Sequence, residues 1–78
     1  MKPTYEEFRA LVKDHFSKTM EQLSDDQVET FLDDEDSVDV IKQEYDLSSK
    51  QLDRGEITEE IFRTGSVSAA SSTLYMLY

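Results

Sequence analysis

The side chains that could do chemistry in this sequence are concentrated in one acidic stretch, residues 30–40, which reads TFLDDEDSVDV. Five acids occur in these eleven residues and no base occurs among them. Grouped carboxylates are the ligands that calcium prefers, but a calcium-binding loop alternates them around a central glycine. The first glycine of the chain is Gly55, so the stretch lacks that pattern. The sequence therefore predicts no calcium site here.

Few other residues could support catalysis or bind a metal. The chain has no cysteine, and His15 is its only histidine, on the apolar side of a predicted helix. No thiolate or two-histidine site can therefore be assembled. Carboxylates are plentiful, but acid–base catalysis needs a pocket that separates their pKa values, and these carboxylates are predicted on helix caps and solvated faces. We predict a protein that is not an enzyme and binds no metal or cofactor.

The charge of the chain is strongly negative and unevenly distributed. Eighteen acids against eight bases give a net charge of −10. Nine of those acids and no Lys or Arg lie between residues 19 and 41, so this acidic segment alone carries −9. Such a field disfavours direct contact with nucleic acid or anionic membranes and favours a basic protein surface. The candidate contact residues at its centre are Asp33, Asp34, Glu35 and Asp36.

The acidic segment has two alternative interpretations. In the first, it is a solvated corner between two helices, where carboxylates in a first helical turn are favoured by the helix dipole. In the second, Glu21, Asp25, Glu29 and Asp33 form a row at steps of four that imitates a nucleic-acid strand and inhibits a DNA-binding protein. Like-charged pairs at this spacing each cost a few tenths of a kcal/mol. The mimic requires the row to be one continuous exposed face.

The elements that position these residues are predicted to be helices. Thr4 with Glu7, and Ser24 with Gln27, have the spacing of capping boxes, which predicts helices over residues 5–18 and over residues 25–33 or 25–34. A third helix is predicted after a cap at Asp36 or Ser37, and it is expected to close at Gly55 in the left-handed conformation. A short helical segment is then predicted to end at Gly65.

The third helix carries two apolar faces, which predicts contact with two neighbours. One face is expected to lie in the core; its residues are Val38, Ile41, Tyr45 and Leu52. Val40 and Leu47 lie roughly on the opposite side. These two residues are therefore candidates for contact with another protein or with a second copy.

The chain has no charged side chain after Arg63, and its last part reads SVSAASSTLYMLY. Val67, Ala70, Leu74 and Leu77 have helical spacing and predict a core stripe, although a strand over TLYMLY is an alternative. Tyr75, Met76 and Tyr78 lie outside that stripe, and aromatic residues and Met are enriched at interface cores. We therefore expect these three residues to contact a partner, most simply in a homodimer, with Val40 and Leu47 as neighbours.

Together these patterns predict an all-α protein, a small single-domain bundle over residues 1–78 with three longer helices and one or two short ones. No apolar stretch approaches the roughly 20 residues that span a bilayer, and the leading residues are polar. We therefore expect a cytoplasmic protein. Its expected function is that of a non-enzymatic, acidic protein–protein interaction module that self-associates or binds a basic partner.

Residues 55–78 also resemble a known group of proteins. GEIT, a following Phe, and then GSVSAASSTLYMLY resemble small acidic uncharacterised proteins encoded in mobile elements of Gram-positive gut bacteria. The resemblance rests on small and aromatic residues. It implies no activity, no cofactor and no catalytic residue.

Overall fold

The structure, a computed structural model, describes all 78 residues, and every regular element in it is helical. The helices are α1 (Tyr5–Thr19), α2 (Asp25–Leu32), α3 (Glu35–Asp53), α4 (Glu59–Ile61) and α5 (Val67–Leu77). A π-helical turn, Phe62–Ser66, joins α4 to α5. The prediction of an all-α bundle is confirmed, and the alternative strand over the last residues is not formed.

Both predicted capping boxes begin their helices. The Glu7 N–H donates to Thr4 Oγ1 at 3.1 Å, and the Thr4 N–H donates to Glu7 Oε1 at 3.0 Å. Ser24 and Gln27 exchange the same pair of hydrogen bonds at 2.8 and 3.1 Å. Each box satisfies backbone donors that the first helical turn leaves without partners. These local patterns therefore place the starts of α1 and α2 correctly.

The start of α3 differs from the prediction. Its N-cap is Asp34, whose carboxylate accepts from the Asp36 N–H at 3.3 Å. The predicted cap at Asp36 or Ser37 is wrong, because α2 ends at Leu32 and the tight corner makes Asp34 the last extended residue. Ser37 lies inside the helix and is buried. The predicted end of α3 is confirmed, since Gly55 has a φ of +75°.

The predicted helix end at Gly65 is also wrong. Gly65 lies within the π-helical turn, and the backbone continues without interruption into α5. A regular α-helix would set Phe62 and Val67 about 140° apart around its axis. The π turn is wider and bonds residues five apart, which brings both side chains into the core. The need to bury both residues accounts for the extra residue in this turn.

One core lies among α1, α2, α3, the π-helical turn and α5. Its fully or nearly fully buried apolar residues are Phe8, Val12, Phe16, Met20, Val28, Leu32, Ile41, Phe62, Val67, Ala70 and Leu74. At one end, the ring centre of Phe8 lies 5.5 Å from those of both Phe62 and Tyr45. Tyr45 in turn donates from its hydroxyl to the Pro3 carbonyl at 2.7 Å. This end of the bundle is closed by aromatic rings.

The opposite end is closed by a second aromatic group. Phe31 stacks on Phe16 with ring centres 5.3 Å apart, and Tyr78 meets Phe31 edge-on at the same distance. Together the two groups show that α1 and α5 run in the same direction and that α3 runs against them. None of the helices combines the length and apolar character needed to cross a membrane.

Two predicted core stripes are only partly correct. On α3, Ile41 is fully buried, whereas the other three predicted residues are only partly buried. Ser37 and Ser48 take buried positions instead, and these small side chains let the helices approach closely. On α5, Leu77 is 48% exposed, so its predicted place in the core is wrong. Leu77 lies on the outer side of α5, whereas Leu74 of the same turn is fully buried.

Candidate interaction surfaces

The acidic corner, Asp33 to Asp36, joins α2 to α3, and all four of its side chains are exposed. Asp34 caps α3, while Glu35 and Asp36 occupy its first turn. The helix dipole favours carboxylates in that turn. Asp33 pairs with Arg9 at 2.9 Å. Helix capping, the helix dipole and one ion pair therefore account for the carboxylates of the acidic corner, and no ligand is needed to explain them.

An ion-pair network between α1 and α2 uses most of the carboxylate row. Arg9 Nη2 lies 2.8 Å from Glu29, and Lys13 Nζ lies 2.8 Å from Glu29 and 3.3 Å from Asp25. Glu21 lies in the turn that precedes α2. The row is thus interrupted at its start and paired with two bases along its length. This geometry does not favour the nucleic-acid mimic, which requires a free and continuous row.

The network shifts the pKa values of two of its members. Hydrogen bonds from Lys13 and then Arg9 lower the pKa of Glu29, and the bonds to Glu29 and Asp25 raise the pKa of Lys13. The pKa values of two other carboxyl groups are also lowered. Hydrogen bonding to Thr4 lowers the pKa of Glu7, and hydrogen bonds from the N-terminal ammonium and then Arg63 lower the pKa of Glu59. Each of these contacts favours the charged form in the folded protein.

We expect the melting temperature at low salt to fall as the pH drops below about 4.5. The pKa of Glu29 is lower in the folded than in the unfolded chain. Its stabilising contribution is therefore complete above the ordinary carboxyl pKa and is lost as the pH falls through the folded pKa. Thermal melts between about pH 6 and pH 3 measure this slope. Glu29→Gln should make the dependence of melting temperature on pH shallower. Glu21→Gln, which removes an unpaired carboxylate, should leave it unchanged. Equal slopes for the two variants would contradict the claim that ionised Glu29 stabilises the fold.

The outer side of α5 is a surface that contains no charged side chain. Met76 is 85% exposed and Tyr75 is 55% exposed. The neighbouring outward positions Ala69 and Thr73 are small and also exposed. A small acidic protein that leaves Met, Tyr and Leu side chains in water on one helix has a surface suited to a partner.

The predicted contact residues do not form one patch. Tyr75 and Met76 border a cavity of about 440 Å³ on the α1 side of α5, together with His15 and Thr19. Tyr78 rests against Phe31. Val40 and Leu47 border a groove of about 190 Å³ on the other side of α5, between α5 and α3. The structure thus separates Tyr75 from Val40 and Leu47, which the sequence alone had placed as neighbours.

Comparison of the chain with protein-family models, curated proteins and solved structures gives no match. The functional argument therefore depends on the surfaces of this molecule.

His15 connects α1 to α5. Its Nδ1 lies 2.9 Å from Ser71 Oγ, and Ser71 is buried within α5. Catalysis by such a pair requires a third group that orients the imidazole and donors that stabilise an oxyanion. No carboxylate is hydrogen-bonded to this imidazole, and the serine lies inside a continuous helix. The contact acts as an interhelical hydrogen bond.

The largest cavity, about 530 Å³, lies between α1 and the π-helical turn and contains two bases. Lys18 is paired with Asp14 at 2.9 Å, and Arg63 is paired with Glu59 at 3.1 Å. Both positive charges therefore already have carboxylate partners. No group of three acidic, histidine or cysteine side chains is placed to hold a metal ion.

Proposed function

We propose that the protein is a non-enzymatic interaction module that self-associates through the α5 ridge. The ridge consists of Ala69, Thr73, Met76 and Leu77, all exposed along the outer side of α5. The observation that carries this proposal is the exposure of Met76 and Leu77, at 85% and 48%, on a helix without a charged residue.

The hydrophobic effect gives these side chains a reason to associate. Burial of apolar surface is worth about 25 cal/mol per Å², and a fully buried Met or Leu side chain is worth about 1.5–3 kcal/mol. Both side chains occur twice in a two-fold dimer. Since they lie beside small residues, a second helix can approach them closely.

Charge favours this face over the rest of the surface. Two copies with a net charge of −10 each repel one another wherever their acidic surfaces meet. The α5 ridge itself carries no charged side chain. We propose no second function for the acidic corner, because helix capping and the helix dipole account for its carboxylates.

We expect Met76→Glu to weaken self-association at least tenfold, since each dimer would have to bury two added carboxylates. Sedimentation equilibrium at micromolar to millimolar concentrations measures the effect. The matched control is Gln22→Glu, which adds the same charge in the exposed turn between α1 and α2. The control should associate nearly as well as the wild type. A wild type that stays monomeric throughout this range would refute the proposed function.

A further inference from the structure

We infer that the partner on the α5 ridge is a second copy whose α5 lies antiparallel to the first, about a two-fold axis at Thr73. This inference rests on the proposed self-association and adds the orientation and register of the two helices. In this arrangement the Thr73 side chains of the two copies face each other across the axis. Leu77 of each copy then faces Ala69 of the other.

The sizes of the side chains along α5 favour the antiparallel orientation. The first half of the ridge has the small residues Ala69 and Thr73, and the second half has the large residues Met76 and Leu77. Antiparallel pairing places each large half over the other copy's small half. Parallel pairing would set large residues against each other and leave a gap between the small ones, and unfilled space loses packing contacts.

A groove beside the small half provides a place for the large side chains. It lies between α3 and α5, measures about 190 Å³, and is lined by Val40, Gln43, Glu44, Leu47, Ala70 and Thr73. Ligand pockets usually measure about 300–1,000 Å³, so this groove is suited to an inserted side chain rather than to a small molecule. Leu47 is 54% exposed at its edge. Leu77 of the second copy reaches this level of the groove in the antiparallel register.

The distribution of charge favours the same orientation. The acidic segment between residues 19 and 41 lies near the C-terminal end of α5, where Tyr78 contacts Phe31. Parallel pairing would bring the two acidic segments side by side. Antiparallel pairing about Thr73, five residues before Tyr78, sets the two C-terminal ends of α5 about 15 Å apart along the helices, ten residues at 1.5 Å each. Because screening acts over about 8–10 Å at physiological salt, the two segments repel each other less in this arrangement than they would side by side.

Disulfide cross-linking tests the register directly, because the protein has no cysteine of its own. Thr73→Cys should form a covalent dimer under mild oxidation, since its two copies face each other at the axis. Ala69→Cys is the matched control. Its two copies would be about 12 Å apart along the helices, eight residues at 1.5 Å each, which exceeds the reach of a disulfide. Parallel helices would cross-link at both positions equally.

Two apolar truncations test the side of α5 that is used. Leu77→Ser should weaken the dimer at least tenfold, because each dimer loses two buried side chains. Tyr75→Ser removes a similarly exposed side chain on the α1 side of α5 and should change the dissociation constant less than twofold. Circular dichroism at low concentration should show that both variants remain folded.

The outcomes separate this inference from the proposed function. If the wild type dimerises but Ala69→Cys cross-links as readily as Thr73→Cys, the antiparallel register is wrong while self-association stands. A dimer weakened by Tyr75→Ser and not by Leu77→Ser would also overturn the register. If no variant and no wild type associates, the proposed function itself fails.

Discussion

We expect Phe62→Ala to lower the free energy of unfolding by about 3–5 kcal/mol, the usual cost of truncating a buried Phe to Ala. Phe62 is fully buried and lies against the rings of Phe8 and Tyr45 at 5.5 and 5.7 Å. It also fixes the π-helical turn against the core. Since a domain of this size is stabilised by only about 4–12 kcal/mol, the variant should be close to unfolding at 25 °C.

Urea denaturation followed by circular dichroism measures this change. Ile61→Ala is the matched control, because Ile61 is the preceding residue of the same segment and is exposed. It should cost less than about 1 kcal/mol. If Ile61→Ala destabilises the protein as much as Phe62→Ala, the π-helical turn faces the core with a different side from the one described.

We expect Ile41→Ala to cost about 2–5 kcal/mol. Ile41 is the only fully buried apolar residue of α3, and its neighbours on the buried face include the small side chains Ser37 and Ser48. These serines provide little apolar surface to compensate for the lost methyl and methylene groups. The cavity left by the truncation would therefore fall in the middle of the α3 contact with the rest of the core.

The control for this helix is Leu47→Ala, measured at concentrations where the chain is monomeric. Leu47 is exposed, so its truncation should change the free energy of unfolding by less than about 1 kcal/mol while weakening the dimer. A loss of stability similar to that of Ile41→Ala would show that the two faces of α3 have been assigned incorrectly.

The helix starts could be predicted where the determining contacts lie within a few residues. Thr4 with Glu7, and Ser24 with Gln27, satisfy their backbone donors within one turn. Gly55 could be placed for a similar reason, since the left-handed conformation favours glycine. Such contacts depend little on the rest of the chain, so the sequence alone predicts them.

Local sequence patterns gave wrong helix boundaries where contacts with the rest of the fold decided between two possible boundaries. Gly65 is a plausible helix end, yet burial of both Phe62 and Val67 keeps the chain helical through a π turn. Asp36 and Ser37 are plausible caps, yet the short corner after α2 leaves this role to Asp34. In both cases the deciding interaction lies outside the residues that form the pattern.

The candidate surfaces depend even more on contacts between residues that are distant in the sequence. The partners of Glu29 are twenty and sixteen residues away, at Arg9 and Lys13, so the row of carboxylates could not be recognised as paired. Exposure of Tyr75 and Met76 was predictable from the core stripe of α5. Their separation from the groove at Leu47 was not, because it depends on how α3 docks beside α5.

By itself, the sequence determined the all-α class, the capped helix starts, the uncharged last helix and the segregation of negative charge. These properties depend on composition, on periodicity and on contacts a few residues apart. Only the tertiary structure decided which carboxylates are paired, which residues of α5 remain in water and which groove lies beside them. The physical reason is that these features arise from the docking of helices distant in the chain, where close packing and charge pairing select one arrangement among several that the local patterns allow.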